Sequence, residues 1–486
     1  MQLNDPTLLK QAAFIAGRWI DSAEVFEVRN PSTGELVACV PDLGPSDARE
    51  AIDRAYAAQK DWAARTGKER AAVLKDWHRL MVDNADDLAA ILTAEMGKPL
   101  AEAKGEVLYG ASFIEWFGEE AKRVYGDVIP GHQRDKRIVV VKQPVGVVAA
   151  ITPWNFPNAM IARKVAPALA AGCAFVVKPA AETPLSALAM AVLAERAGVP
   201  AGVLSVLTSQ NSAAVGEAFC ADPKVRKISF TGSTEVGRIL MRQSAEGIKK
   251  ISLELGGNAP FLVFDDADLD KAVEGAIASK YRAAGQTCVC ANRLYIQSGI
   301  YDAFAAKLAE RVRALKVGDG FEAGTAIGPL ITPEAVEKVE AHVADASAKG
   351  AAVLLGGKRH AKGGTFFEPT ILTGVTRDMA VAREETFGPV APLFRFEREA
   401  DVVEQANATE YGLAAYLYTR DASRVWRVAE ALEVGMVGIN TGLISTEVAP
   451  FGGVKQSGLG REGSLYGIDD YLDLKYLCID VGNEPL

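Results

Sequence analysis

A chain of 486 residues, 49% hydrophobic and 24% charged, is too long for one core and predicts two or three globular domains. Its net charge of -9 argues against a nucleic-acid partner, which needs a basic surface. The apolar run 165–177 is interrupted and too short for a membrane helix. The start MQLNDPTLLK lacks a signal-peptide pattern, and six scattered cysteines suit free thiols in a reducing cytoplasm. The expectation is a cytoplasmic protein with no membrane partner.

In chain order, residues 14–41 alternate over short runs broken by turn residues, the pattern of small antiparallel strands. At 45–47 the period becomes helical, with Ser46 as the expected N-cap. Helix-like segments continue to about residue 122 and read as scaffold without chemistry. Residues 137–152 form two β-rich runs hinged at Pro144, and 471–481 alternate like a further strand. Lone exposed strands are liabilities unless another chain pairs with them.

From 145 to 264 apolar runs alternate with helical ones, which signals a parallel sheet covered on both faces. Its ligand site is expected at the carboxyl ends of the strands, where PWNFP (153–157), KPAAET (178–183) and FTGSTEVG (230–237) fall. The fingerprint GxGxxG is absent, because the turn from Gly232 to Gly237 spaces its glycines differently. A strand–Gly–helix turn still aims N–H groups at an anion such as a pyrophosphate. Past a Gly256-Gly257 hinge, a second α/β section runs through a helix at 266–283 to about 440. The glycine-rich FGGVKQSGLGREG (451–463) reads as a loop.

Inside that second section, between a helix-like run and an apolar strand-like one, lies YRAAGQTCVCANR (281–293). A thiol at such a junction can meet a substrate, yet a free cysteine is commonly a small buried hydrophobe. The local sequence leaves both open for Cys288 and Cys290. Cys-x-Cys is too short for a disulfide framework, and no spacing suggests a metal site. Glu254, in an apolar LEL run before two glycines, reads as a general base, a strand-end charge or a buried salt bridge. Asn155 reads as an oxyanion donor or a helix N-cap.

The order GQTCVCANR, LELGG, PWNFP, FTGSTEVG and EETFGP resembles the NAD(P)-dependent aldehyde dehydrogenase family, from about residue 14 nearly to the end. Within it, GQTCVCANR and GLISTEVAPFGGVKQSGLGREG look most like the succinate-semialdehyde enzymes. The resemblance implies an α/β fold: a Rossmann-like parallel-sheet cofactor domain (1–136 and 148–257), an α/β catalytic domain (258–465) and a small β oligomerisation arm (137–147 and 466–486). It therefore implies a homodimer or homotetramer.

The same resemblance makes Cys288 the nucleophile, Asn155 with the Cys288 backbone N–H the oxyanion donors, and Glu254 the base that hydrolyses the thioester. It assigns the cofactor to Trp154, Asn155, Lys178, Ala181, Gly232, Ser233, Leu255, Glu385 and Phe387. Relatives that prefer NAD often carry a carboxylate where Ala181 stands. Lys178 without that repelling acid implies NADP, with NAD as the alternative because Glu182 follows. Arg163, Arg282 and Ser445 match the residues that hold a semialdehyde's far carboxylate. Succinate semialdehyde is the implied substrate, with glutarate semialdehyde or another small aldehyde as the alternative. A cysteine–histidine hydrolase and a non-enzymatic binding protein are the rival readings. None of the four histidines lies in a recognisable motif.

Overall fold

Strand sequences without a polar face, such as VVAAI and AFVVK, belong inside a sheet with a core on each side. In the computed structural model, which describes residues 1–482, Val148, Ala150, Phe175 and Val177 face one core. Their strand neighbours Val147, Ala149, Ala174 and Val176 face the other. This period-2 division covers both faces of an eight-stranded sheet. Its order is Gly458–Leu459, Lys250–Glu254, Val225–Thr231, Val147–Ile151, Ala174–Lys178, Leu204–Val206, Ala13–Ile15, Arg18–Ile20. The five central strands, from Lys250–Glu254 to Leu204–Val206, run parallel. The strand order reverses between Val147–Ile151 and Val225–Thr231, the kind of switch point where a ligand crevice opens.

A second, seven-stranded sheet has the order Ala352–Leu355, Thr370–Thr373, Val390–Phe396, Ala291–Gln297, Ala259–Val263, Ala414–Tyr418, Met436–Ile439. It is parallel except at Ala352–Leu355, and its own apolar core surrounds it. A three-stranded antiparallel sheet joins Leu472–Asp480, Lys136–Pro144 and Asp127–Ile129. It exposes large apolar side chains, among them Val128 and Leu474. Among the described residues no helix is long and apolar enough to cross a membrane.

Four local expectations need correction. The first long helix, Pro45–Ala64, is capped by Gly44, and Asp47 accepts the Gly44 N–H at 2.9 Å. Ser46 lies inside the first turn because Pro45 already occupies the helix start, where its fixed φ fits. The glycine-rich tail is not wholly a loop and does not stay with the second sheet. Gly458–Leu459 pairs antiparallel with Leu253 and Glu254 at the edge of the first. The small antiparallel sheet also recruits Asp127–Ile129 from the segment expected to belong to the cofactor domain. Residues 483–486 of the expected arm lie outside the described residues. Finally, the helices before residue 122 are not scaffold alone, since Leu100–Glu120 forms one wall of the site below.

Candidate active site

The helix Leu269–Lys280 ends at a single turn, Arg282–Gly285, in which Ala283 (φ 50) and Ala284 (φ 55) are left-handed. Two such alanines in succession are strained and persist only where neighbours hold them. Glu102 accepts the Ala283 N–H at 2.8 Å, and Gln286 Nε2 donates to Ala283 O at 3.1 Å and Pro329 O at 3.3 Å. Gly285 is obligatory, because a Cβ would sit 2.2 Å from Gly388 O. The turn separates the two cysteines. Cys290 is buried with Lys280 Nζ 3.3 Å from its Sγ, whereas Cys288 lines two cavities at once.

The first cavity, about 330 Å³, is bounded by Tyr109, Arg163, Arg282, Ser445 and Phe451. The second, about 290 Å³, is bounded by the strand ends at the switch point: Trp154 and Asn155, Gly232 and Ser233, Glu254 and Leu255. Glu385 and Phe387 close its far side. Met160 also borders both cavities, which leaves Cys288 as the one reactive side chain that they share.

Around that thiol the polar groups await partners. Asn155 Nδ2 donates to Gln286 O at 3.0 Å, while among the described residues Asn155 Oδ1, Thr231 Oγ1 and Glu254 Oε2 are buried without a hydrogen bond. Unpaired buried polar atoms are costly, and here they cluster around one cavity that a polar ligand can fill. Burial pushes the Cys288 thiol up to about 12, with Arg163 opposing and Glu254 adding to the shift. Burial also raises the Glu254 carboxyl well above the usual range, and the Glu462 charge raises it further.

The second cavity suits a dinucleotide. The helix Thr234–Ala245 starts at its rim, with Ser233 Oγ accepting the Val236 N–H at 3.3 Å. This turns the positive end of the helix dipole on the cavity. Gly237 lets the helix approach, since a Cβ there would meet Leu255 Cδ2 at 2.5 Å. Phe387, held at φ 53, meets Trp154 edge-on at 5.6 Å. Glu385 Oε1 accepts the Gly257 N–H at 3.1 Å, and burial pushes its carboxyl up to about 7. The paired glycines are therefore close-approach positions as well as a domain junction. A Cβ on Gly256 would meet Glu385 Oε2 at 2.9 Å, and one on Gly257 would meet Cys288 O at 2.7 Å.

Lys178 and Ala181 line neither cavity. They sit at and just beyond the end of the neighbouring strand Ala174–Lys178. Lys178 Nζ donates to Pro179 O at 2.9 Å, and burial lowers its pKa to about 8.

In the first cavity the two arginines differ. Arg163 is 1% exposed, lies 3.8 Å over the Phe451 ring and pairs with Glu462 at 2.6 Å. Lys164 pairs with the same carboxylate. Arg282 lies 5.4 Å over the Phe156 ring, and among the described residues no carboxylate forms an ion pair with it. The nearby Glu102 carboxyl is raised by burial, which weakens its counter-charge. Sequence reasoning missed Lys98, Glu102, Glu106 and Tyr109 on this wall. Glu102, Glu106 and Tyr109 do carry a readable signal, an i, i+4, i+7 polar stripe on one helix face. No histidine lines either cavity, which removes the base that a cysteine–histidine hydrolase needs.

Comparisons with known proteins agree with this geometry. The model of the aldehyde dehydrogenase family matches residues 19–477. The chain is 64% identical to the succinate-semialdehyde dehydrogenase (NADP+) of Escherichia coli K12, over 99% of this chain and 100% of that protein. It is 63% identical to the glutarate-semialdehyde dehydrogenase of Pseudomonas aeruginosa, over 99% of each. A crystal structure of succinate-semialdehyde dehydrogenase from Burkholderia pseudomallei superposes with a TM-score of 0.98 at 66% identity, covering 99% of this chain and 100% of that one.

Proposed function

From the premise that the chain belongs to the aldehyde dehydrogenase family, we propose that it oxidises succinate semialdehyde to succinate with NADP+. The observation that carries the substrate is Arg282, a cation without an ion-pair partner among the described residues, on the wall of a cavity that ends at Cys288. A carboxylate buried there unpaired would be costly, and a guanidinium meets it with paired donors. The Ser445 hydroxyl borders the same cavity and supplies a further donor. Arg163, already matched by Glu462, contributes as a wall and through its field.

Cys288 Sγ adds to the aldehyde carbon. Because burial keeps this thiol protonated in the resting site, attack is coupled to transfer of its proton to a water molecule in the cavity. The developing oxyanion accepts from the Asn155 amide and the Cys288 backbone N–H, and removing one such donor costs about 2.7–4 kcal/mol in related chemistry. When held by Trp154, Gly232, Ser233 and Leu255, with Glu385 and Phe387 beside it, a nicotinamide dinucleotide would supply the acceptor for the hydride that leaves the adduct carbon, and the adduct would become a thioester. Glu254 then takes a proton from water, which attacks the thioester carbonyl and releases the carboxylate and the thiol. Its raised pKa means that the working carboxylate form gains population as pH rises, so hydrolysis speeds up in that direction.

This division of labour gives two expected results. Glu254→Gln yields a rapid burst of NADPH followed by a very slow steady state, because thioester hydrolysis loses its base and acylation does not. Stopped-flow absorbance reads it, and loss of the burst itself would move Glu254 to an earlier step. For the cofactor, kcat/KM favours NADP+ over NAD+, and Ala181→Glu shifts the ratio toward NAD+ through a like-charge clash with the 2′-phosphate. The Lys178 pKa of about 8 sets the pH sign: the ammonium that attracts the 2′-phosphate is lost above it. The NADP+ preference therefore shrinks from about pH 7 to about pH 9. A wild-type preference for NAD+ would overturn the reading of Lys178 and Ala181.

In this reading residues 1–126 and 148–257 hold most of the cofactor, with Glu385 and Phe387 reaching in from 258–465. That section carries the nucleophile, and the semialdehyde lies between it and the helix Leu100–Glu120. The apolar side chains exposed on the small antiparallel sheet support a homodimer or homotetramer. Six free cysteines support a cytoplasmic setting.

A further inference from the structure

The helical wall missed from the sequence contains a buried ion pair that the chemistry above does not use. Lys98 and Glu106 have side chains 1% exposed and meet at 2.5 Å. A buried pair is weak evidence for stability, because well-packed apolar residues often replace one without loss. What this pair touches is specific. Lys98 Nζ donates to Asn155 O at 2.8 Å and lies 3.8 Å over the Phe156 ring. Glu106 Oε1 accepts the N–H groups of Asn158 at 3.0 Å and Ala159 at 3.2 Å. Gly110 on the same helix lets the turn press in, since a Cβ there would meet Asn158 Oδ1 at 2.4 Å. One charge pair thus fixes both ends of the five-residue turn 155–159, which carries the Asn155 amide.

We propose that Lys98 and Glu106 are a positioning pair for Asn155, clamping the backbone of its turn so that the amide stands at the oxyanion of the Cys288 adduct. The proposal rests on the reading of Asn155 as that donor. A donor acts through preorganisation, and its amide can be aimed only as well as the backbone beneath it is held.

The test is a double-mutant cycle on the full-length enzyme, reading single-turnover NADPH formation, aldehyde KM and cofactor Kd. With Asn155 present and cofactor saturating, Lys98→Met slows single turnover by about 100-fold, the scale of an ångström-sized misplacement. In an Asn155→Ala background the same change costs less than about threefold, because the group it positions is gone. Equal losses in both backgrounds, or no loss in the first, overturn the pair's role and leave Asn155 intact. If Asn155→Ala alone leaves single turnover unchanged, the reading of Asn155 falls and the proposal with it. Should Lys98→Met fail to bind cofactor, Glu106→Gln takes its place in the cycle. That variant keeps the shape and an acceptor oxygen, and the same outcomes decide.

Discussion

Cys288→Ala is expected to remove dehydrogenase activity, a loss on the order of a millionfold by comparison with removal of other covalent nucleophiles. Cofactor binding should persist. The cavity assigned to the dinucleotide is built mainly from the strand ends at Trp154, Gly232 and Glu254 and from Glu385 and Phe387, none of which depends on the thiol. Quenching of tryptophan fluorescence by NADP+, with Trp154 on the cavity wall, reads binding independently of turnover. Cys290→Ala should keep most activity, because its sulfur is buried beside Lys280 and lines neither cavity. If the two variants exchanged behaviour, the nucleophile would be Cys290 and the turn would have to open for catalysis.

Arg282→Ala should cost about 2–5 kcal/mol in kcat/KM for succinic semialdehyde, the range for truncating one member of a buried charge pair. Butanal, which has no carboxylate, should lose almost nothing. Arg282→Lys should restore only part of the loss, since an ammonium cannot present the guanidinium's paired donors. Arg163→Ala should behave differently. It leaves Glu462 with Lys164 alone, so the Glu462 charge weighs more heavily on Glu254 and raises its carboxyl further. The expected result is slower thioester hydrolysis with both substrates. Steady-state kinetics on the two variants with the two aldehydes separates these roles, and equal damage to both substrates by Arg282→Ala would reduce that residue to a support for the cysteine turn.

The parallel sheets were legible because their strands are apolar at successive positions, which only burial on both faces accommodates. Cys288 and Glu385 were legible only through the family resemblance, because each precedes a strand of the second sheet. The meeting of Asn155, Gly232 and Glu254 around one cavity was legible through short motifs at strand ends of the first. A parallel sheet gathers such ends on one side. The helical wall was legible only as a polar stripe, and the charges of Lys98, Glu102 and Glu106 made that stripe read as a solvated face. Lys98 and Glu106 become buried only when Leu100–Glu120 and the residues just before it pack against the turn 155–159 and the helix Ala159–Ala171, a contact between distant segments. The two arginines looked equivalent for a related reason. Glu462 lies 299 residues after Arg163, so nothing local announced that one guanidinium is already paired. Gly256 and Gly257 looked like a hinge because sequence registers their flexibility, whereas the Cys288 carbonyl and the Glu385 carboxylate also require their missing side chains.

The kcat/KM of the unmodified protein for succinic semialdehyde and for butanal, measured side by side with NADP+, bears most directly on the substrate. An arginine that grips the far carboxylate predicts a preference for succinic semialdehyde of at least about 30-fold, the equivalent of 2 kcal/mol. A ratio near one would contradict a carboxylate-bearing substrate and leave Arg282 without a role in choosing it.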